Sequence, residues 1–134
     1  MPAESRRTIK DYPVIALDFD GTVVRHRYPD VGEEIGAADW IRKWIRHGAR
    51  IILWTMRDGR ELSDAKQWYR GHGLPLHGVQ LNPRQAEWTS SPKCYAKLYI
   101  DDHGLFAPLI EPDDGGRPYV DWSIVGPRVL EMLR

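Results

Sequence analysis

The chain has 134 residues, of which 42% are hydrophobic and 28% charged, a balance typical of a single globular domain. Lys and Arg number 19, as do Asp and Glu, so net charge gives no sign of a nucleic-acid or membrane partner. The single cysteine, Cys94, excludes an intrachain disulfide and favours a reducing, cytoplasmic location. One domain is predicted over 1–134, with residues 1–12 as a frayed polar leader that lacks the apolar core of a signal peptide.

The residue pattern predicts strands that alternate with helices along the chain. The predicted strands are 13–19, 49–55, 78–82 and 97–102, and the predicted helices are 37–47, 58–73, 91–96 and 127–134. Pro92 and Pro127 are taken as first residues of their helices, and residues 111–120 as loop. This alternation predicts an α/β domain of Rossmann-like, three-layer type, with a central parallel sheet and helices on both faces.

Polar residues follow three of the predicted strands at the point where each strand ends. Asp18 and Asp20 close the first strand, Thr55 the second, and Asp101 and Asp102 the last. Because ligands of parallel sheets bind beyond the carboxyl ends of the strands, we expect these side chains to converge. Converging carboxylates repel one another, and a cation that prefers oxygen ligands, Mg²⁺ rather than Zn²⁺, relieves that repulsion. Since Mg²⁺ often takes a phosphate oxygen as a further ligand, the pattern predicts a phosphate site.

Phosphate needs hydrogen-bond donors and a positive charge in addition to the cation. The predicted donors are the Thr55 hydroxyl and backbone N–H groups near the strand ends, at Phe19, Gly21 and Met56. Lys93 and Lys97 are the two candidates for the lysine that binds phosphate. Lys97 begins the strand that ends at the acid pair. Four residues of strand span roughly 13 Å, so Lys97 is expected near the edge of the sheet opposite the site. Lys93 is therefore predicted to bind phosphate from a helical turn whose N-terminus faces the site.

The ordered set "DFDGT", a strand ending in Thr, a Lys and "IDD" resembles the four motifs of the haloacid dehalogenase superfamily of phosphohydrolases. The resemblance covers residues 14–102. The words "RHRYPDVGEEI", "LWTMRDG" and "GGRPYVDW" are similar to a branch of small, uncharacterised bacterial members. The resemblance implies a Mg²⁺-dependent phosphatase that hydrolyses phosphomonoesters through an aspartyl-phosphate.

The resemblance also implies a role for each acid of the site. Asp18 would attack phosphorus, and Asp20 would protonate the leaving oxygen and then activate water. Asp18, the backbone carbonyl of Asp20, and Asp102 would bind the metal ion directly. Asp101 would orient water or a second donor, since adjacent strand residues are expected to point to opposite sides.

No cap domain is expected, because residues 21–48 and 56–92 are too few to form a second core. The site should be open, with His26 and Arg57 at its rim. Arg57 is predicted to meet a substrate anion in a forked geometry, so that its loss raises KM more than it lowers kcat. An open site suits a phosphorylated small molecule or macromolecule end, or else a second subunit of a homo-oligomer as its lid.

Two other functions stay open at this point. A phosphotransferase or phosphomutase would use the same intermediate, since water and a sugar hydroxyl are alternative acceptors. A phospho-acceptor or phosphate-binding signalling module would have no need of Asp20, and a receiver domain would carry its acid pair on the first strand. The order of the motifs therefore argues against a receiver domain, and Asp20 argues against a phosphate-binding module, whereas the sequence does not separate hydrolysis from phosphoryl transfer.

Overall fold

The computed structural model describes residues 12–134, and residues 1–11 of the predicted leader lie outside the described residues. The elements, in chain order, are β1 (Val14–Leu17), α1 (Ala37–Arg46), β2 (Arg50–Leu53), α2 (Gly59–Gly71), β3 (Gly78–Val79), a 3-10 helix (Gln85–Glu87), β4 (Leu98–Ile100), β5 (Leu109–Ile110), β6 (Tyr119–Val120) and α3 (Trp122–Met132). Among these residues, no helix has the length and apolar character that crossing a membrane requires.

Four strands form one parallel sheet in the order β3-β2-β1-β4. Leu17, at the end of β1, pairs with Leu53 of β2 and with Ile100 of β4. Strands β2, β1 and β4 therefore end at the same level, and the residues that follow them meet at one edge. The predicted α/β domain with a parallel sheet is confirmed.

The sheet is the middle of three layers. On one face, Ile15, Leu17, Ile51 and Leu53 pack in a single apolar cluster with buried residues of all three α-helices. On the other face, Val14, Ala16 and Ile52 pack against Cys94 and Ala96, which come from the segment that carries the 3-10 helix. The three-layer, Rossmann-like arrangement is thus present, with the α-helices on one face rather than on both as predicted, and mostly irregular chain on the other face.

The predicted helix at 91–96 is wrong. The Gln85 side chain donates to the carbonyl oxygens of Ser91 (2.9 Å) and Lys93 (2.7 Å) and accepts from the Tyr95 N–H (2.8 Å). These backbone groups are bonded to a side chain of the 3-10 helix, so the segment does not form a helix. The helical period of apolar residues gives no sign of a hydrogen bond to a side chain 6, 8 or 10 residues away.

The last helix begins earlier than predicted. The Asp121 side chain accepts hydrogen bonds from the Ser123 N–H and hydroxyl, which caps α3 and places Pro127 inside it. The stretch before it, predicted as loop, contributes β6, which pairs with β5 as an antiparallel hairpin. The Val120 N–H donates to the Gly21 carbonyl (3.0 Å), so this hairpin is anchored beside the end of β1.

Candidate functional site

The chain turns sharply directly after β1. Two consecutive N–H groups, of Thr22 and Val23, donate to the Phe19 carbonyl at 3.1 and 2.8 Å, and Gly21 adopts φ 79°. A left-handed conformation of this kind favours glycine. The turn bends the chain away from the strand direction, and it leaves the carboxylates of Asp18 and Asp20 at the edge of the sheet.

Thr22 ties the end of β1 to the end of β4. Its hydroxyl donates to Asp18 Oδ2 at 2.9 Å and accepts from the Asp102 N–H at 3.0 Å, and the side chain is fully buried. Sequence reasoning quoted this threonine within "DFDGT" but gave it no role. The structure makes it the residue that fixes the distance between two acids of the site.

Thr55 lies at the same edge, held by a residue that the sequence did not single out. Gln80 accepts from the Thr55 N–H (2.9 Å) and donates to the Thr55 carbonyl (2.6 Å). Gln80 does so from a backbone with φ 67°, which is uncommon outside glycine. The Thr55 hydroxyl accepts from the Arg57 N–H at 3.1 Å.

These strand ends line one cleft of about 390 Å³. Its lining residues are Asp18, Asp20, His26, Tyr28, Thr55, Met56, Arg57, Asp101, Asp102, His103 and Arg117. The structure therefore brings together most of the residues predicted for the site. Phe19 is buried in the core beneath it, and Lys93 is not among the lining residues.

Asp101 and Asp102 do not point to opposite sides as predicted. Strand β4 ends at Ile100, so both acids belong to the following turn and both line the cleft. Asp102 is buried and turned towards His26, whose Nε2–H donates to its Oδ2 at 2.7 Å. Asp101 is half-buried and accepts from the His103 N–H at 2.9 Å. His26 is thus inside the cleft rather than at an outer rim, with its side chain only 13% exposed.

The carboxylates perturb one another strongly. Burial, reinforced by the negative charge of Asp101, raises the pKa of Asp18 to about 8. Burial likewise raises the pKa of Asp101. Burial also acts upward on Asp102, but hydrogen bonds with His26, Asp101 and Asp18 outweigh it and hold the pKa of Asp102 below its ordinary value. Ionised together, these acids need a compensating cation.

The prediction that Arg57 meets substrate at the rim is wrong. Its side chain is 1% exposed and donates to both carboxylate oxygens of Asp20, at 2.8 and 2.7 Å. Its other N–H groups donate to the carbonyl oxygens of Pro29, Asp30 and Glu61. All five guanidinium donors are therefore used within the protein, and none is left for a substrate anion.

The predicted lysine is not at the site either. Lys93 is exposed, with its ammonium 5.9 Å from the centre of the Tyr99 ring. Lys97 does lie at the opposite edge of the sheet, as predicted, because its N–H donates to Val14 at the start of β1. The cleft instead contains Arg117, an exposed residue whose side chain has no hydrogen-bond or ion-pair partner within residues 12–134.

The donor set fits a magnesium ion. The Thr22 hydroxyl binds the Asp18 carboxylate and the Asp102 N–H, and the side chains of Asp18, Asp101 and Asp102 all line the cleft with carboxylate oxygens. A divalent cation among them would offset the repulsion that raises the pKa of Asp18. Hard oxygen ligands with room for water and a phosphate oxygen are the usual surroundings of Mg²⁺.

Neither a protein-family model nor a curated protein matches the chain. Among solved structures, a protein from Bacteroides thetaiotaomicron, described as a conserved protein, is similar with 35% sequence identity and a TM-score of 0.73. The alignment covers 90% of this chain and 92% of that one. With this identity over nearly the full length of both proteins, the chain belongs to the family of the conserved Bacteroides thetaiotaomicron protein.

Proposed function

We propose that the protein is a Mg²⁺-dependent phosphatase of haloacid dehalogenase type, which hydrolyses phosphomonoesters through an aspartyl-phosphate on Asp18. One observation carries the proposal. The carboxylate of Asp18 lies at the carboxyl end of β1, in one cleft with Asp20, Thr55, Asp101 and Asp102. The four sequence words that resemble that superfamily supply these residues, apart from the lysine.

In this proposal, Asp18 attacks phosphorus and displaces the alcohol. The Thr22 hydroxyl holds Asp18 Oδ2, and Asp18 Oδ1 would form the new bond to phosphorus. Asp18, the Asp20 carbonyl and Asp102 would hold Mg²⁺, whose positive charge would keep Asp18 ionised and polarise the phosphate. Asp101 orients a water or a further donor. The Thr55 hydroxyl and the Met56 N–H bind the phosphate oxygens. The Gly21 N–H, predicted as a further donor, instead donates to the Val24 carbonyl at 2.7 Å, and Phe19 is buried beneath the cleft.

Asp20 supplies a proton to the leaving oxygen and later takes one from water. In the structure, both its oxygens accept from Arg57, so the carboxylate must turn or loosen that pair to transfer a proton. The cleft is open, which suits a phosphorylated small molecule or the phosphorylated end of a macromolecule, or a second subunit as lid. A cytoplasmic location is part of the proposal, from the unpaired Cys94.

The deciding experiment measures hydrolysis of 4-nitrophenyl phosphate with Mg²⁺ and with a chelator. We expect turnover only with Mg²⁺, and its loss in Asp18→Asn, because an amide is a poor nucleophile. Acid quenching of the wild type with a radiolabelled substrate should trap a phosphoenzyme that hydroxylamine cleaves. Full activity of Asp18→Asn would exclude the covalent mechanism.

A phosphotransferase is the second candidate, because the openness of the cleft admits an acceptor other than water. The same assay separates the two when sugar alcohols are added. Transfer would make phosphorylated alcohol at the expense of inorganic phosphate, whereas hydrolysis releases inorganic phosphate at an unchanged rate.

A further inference from the structure

We propose that His26, His103 and the acid pair Asp101–Asp102 form a second cation site, for a nitrogen-preferring divalent metal such as Zn²⁺. The site lies beside the proposed Mg²⁺ position and shares Asp102 with it. Its existence does not depend on the proposed function, although its effect on catalysis does.

Two imidazoles approach the same carboxylate oxygen. His26 Nε2 lies 2.7 Å and His103 Nε2 lies 3.8 Å from Asp102 Oδ2, and a bound metal ion would take the place of the proton that His26 Nε2 donates. Ligand atoms of Asp101, Asp102 and His103 lie within 4.8 Å of one another, and His26 joins this group through its contact with Asp102. Ligands bound to one Zn²⁺ at about 2.0–2.2 Å are roughly 3–3.5 Å apart, so small rotations of these side chains bring them to one ion. The His103 side chain, 74% exposed, is free to make its share of that movement.

The backbone of Gly21 packs closely against the His26–Asp102 pair. A Cβ at Gly21 would overlap both His26 Nε2 and Asp102 Oδ2. The turn after β1 therefore passes so close to the imidazole–carboxylate pair that only a residue without a side chain fits there. The pair is also well shielded, with 13% of the His26 side chain and 6% of the Asp102 side chain exposed.

The chemistry of the donors separates the two cations. Imidazole nitrogen suits Zn²⁺, Co²⁺ and Ni²⁺, whereas Mg²⁺ prefers oxygen and keeps several waters. The oxygen side of the cleft, at Asp18 and Asp20, thus favours Mg²⁺, and the nitrogen side, at His26 and His103, favours Zn²⁺. Because Asp102 serves both sides, Zn²⁺ at the second site withdraws a ligand from Mg²⁺. Zn²⁺ should therefore inhibit Mg²⁺-dependent turnover.

Calorimetric titration of the metal-free protein with Zn²⁺, without Mg²⁺ or substrate, tests the site directly. We expect one Zn²⁺ per chain. His26→Gln keeps a donor for Asp102 but offers no imidazole, and His103→Gln changes an exposed side chain, so both variants should fold. Each should weaken Zn²⁺ binding about tenfold or more. Co²⁺ should give a visible absorption band in the wild type that weakens in both variants.

His47→Gln is the matched control, since His47 is exposed and its ring bonds only the Lys43 carbonyl. It should bind Zn²⁺ like the wild type. Asp18→Asn, which abolishes the proposed phosphatase chemistry, should still bind Zn²⁺, so that failure of the function and failure of this site are distinguishable. Absence of Zn²⁺ binding, or equal affinity in His26→Gln, His103→Gln and the wild type, would overturn the site.

Discussion

Arg57 and Asp20 form a two-pronged ion pair beneath the candidate cleft, with Nε to Oδ2 at 2.8 Å and Nη2 to Oδ1 at 2.7 Å. The guanidinium also lies 5.2 Å from the centres of the Phe19 and Tyr28 rings. Arg57 thus packs against one aromatic residue of the turn after β1, Phe19, and one of the following loop, Tyr28. Its position fits a residue that orients Asp20 rather than one that binds substrate.

Replacing Arg57 should therefore lower kcat more than it changes KM. In Arg57→Lys the charge remains but the two-pronged geometry is lost, so Asp20 is held less precisely. We expect kcat for an alkyl phosphate, whose leaving group needs a proton, to fall about tenfold or more. An aryl phosphate should be affected less. Steady-state kinetics with both substrates checks this.

Arg84→Lys is the control, because Arg84 makes a similar two-pronged contact with Glu87 but at the exposed 3-10 helix. It should leave both constants near the wild-type values. Arg57→Ala should in addition destabilise the fold by about 3 kcal/mol, since it leaves Asp20 without its buried partner. A rise in KM at constant kcat in Arg57→Lys would contradict this role and show that Arg57 binds substrate.

The strands and the edge of the sheet that carries the site were predictable, because both follow from the pattern of neighbouring residues in the sequence. The buried run before Asp18 predicted β1, and the polar residues after three strands predicted the edge where the site lies. In a parallel sheet those ends must coincide, which the pairing of Leu17 with Leu53 and Ile100 bears out. No knowledge of side-chain contacts was needed for this part.

The failures concern hydrogen bonds between side chains and groups that the strand and helix patterns do not pair. Arg57 was placed at the rim because it follows Thr55, but three carbonyl oxygens and Asp20 hold it inside. Lys93 was placed at the site through a helical turn, which Gln85 prevents by bonding that backbone. Neither contact has a local signal. Arg117 stands in the quoted word "GGRPYVDW" but was given no role, because it falls in a predicted loop that only the β5–β6 hairpin brings to the cleft.

Gly21→Ala should be far more damaging than alanine at other left-handed glycines. The new Cβ would overlap His26 Nε2 and Asp102 Oδ2, in addition to the cost of a left-handed backbone of about 1–2 kcal/mol. Gly73→Ala is the matched control, because Gly73 has φ 67° but no atom within 4 Å of a Cβ. Urea unfolding and turnover should show Gly73→Ala active and mildly destabilised, and Gly21→Ala inactive. Equal behaviour of the two variants would contradict the close packing at this turn.

The stability of the metal-free protein should fall as pH rises. The folded chain keeps a proton on Asp18 up to about pH 8, whereas the unfolded chain releases it near the ordinary pKa of 3.8. Between these values the folded state binds more protons, so the free energy of unfolding decreases with rising pH. Burial acts in the same direction on Asp101. The pKa of Asp102 is lowered instead, so Asp102 stabilises the folded chain above its ordinary pKa. This stability is lost only in acid, when the pH falls through the lowered pKa.

Urea denaturation at about pH 5 and about pH 8 measures this dependence. Asp18→Asn should reduce the loss of stability between the two conditions, because the amide does not titrate. Mg²⁺ should stabilise the wild type more at the higher pH, where Asp18 must otherwise lose its proton. The same loss in Asp18→Asn as in the wild type would show that another group causes it.

Arg117, rather than Lys93, should supply the positive charge that meets the substrate phosphate. Arg117 lines the cleft without a partner within residues 12–134, and a guanidinium matches phosphate oxygens in a forked geometry. We expect Arg117→Gln to raise KM for 4-nitrophenyl phosphate about tenfold. The variant loses one charge-assisted hydrogen bond, which contributes about 1.5 kcal/mol to binding. Lys93→Gln should change KM less than about twofold, like the control Lys97→Gln at the opposite edge of the sheet. Because all three side chains are exposed, unfolding should not mask the comparison. If Lys93→Gln abolished turnover while Arg117→Gln had no effect, the segment 91–96 would have to reach the cleft in the working enzyme.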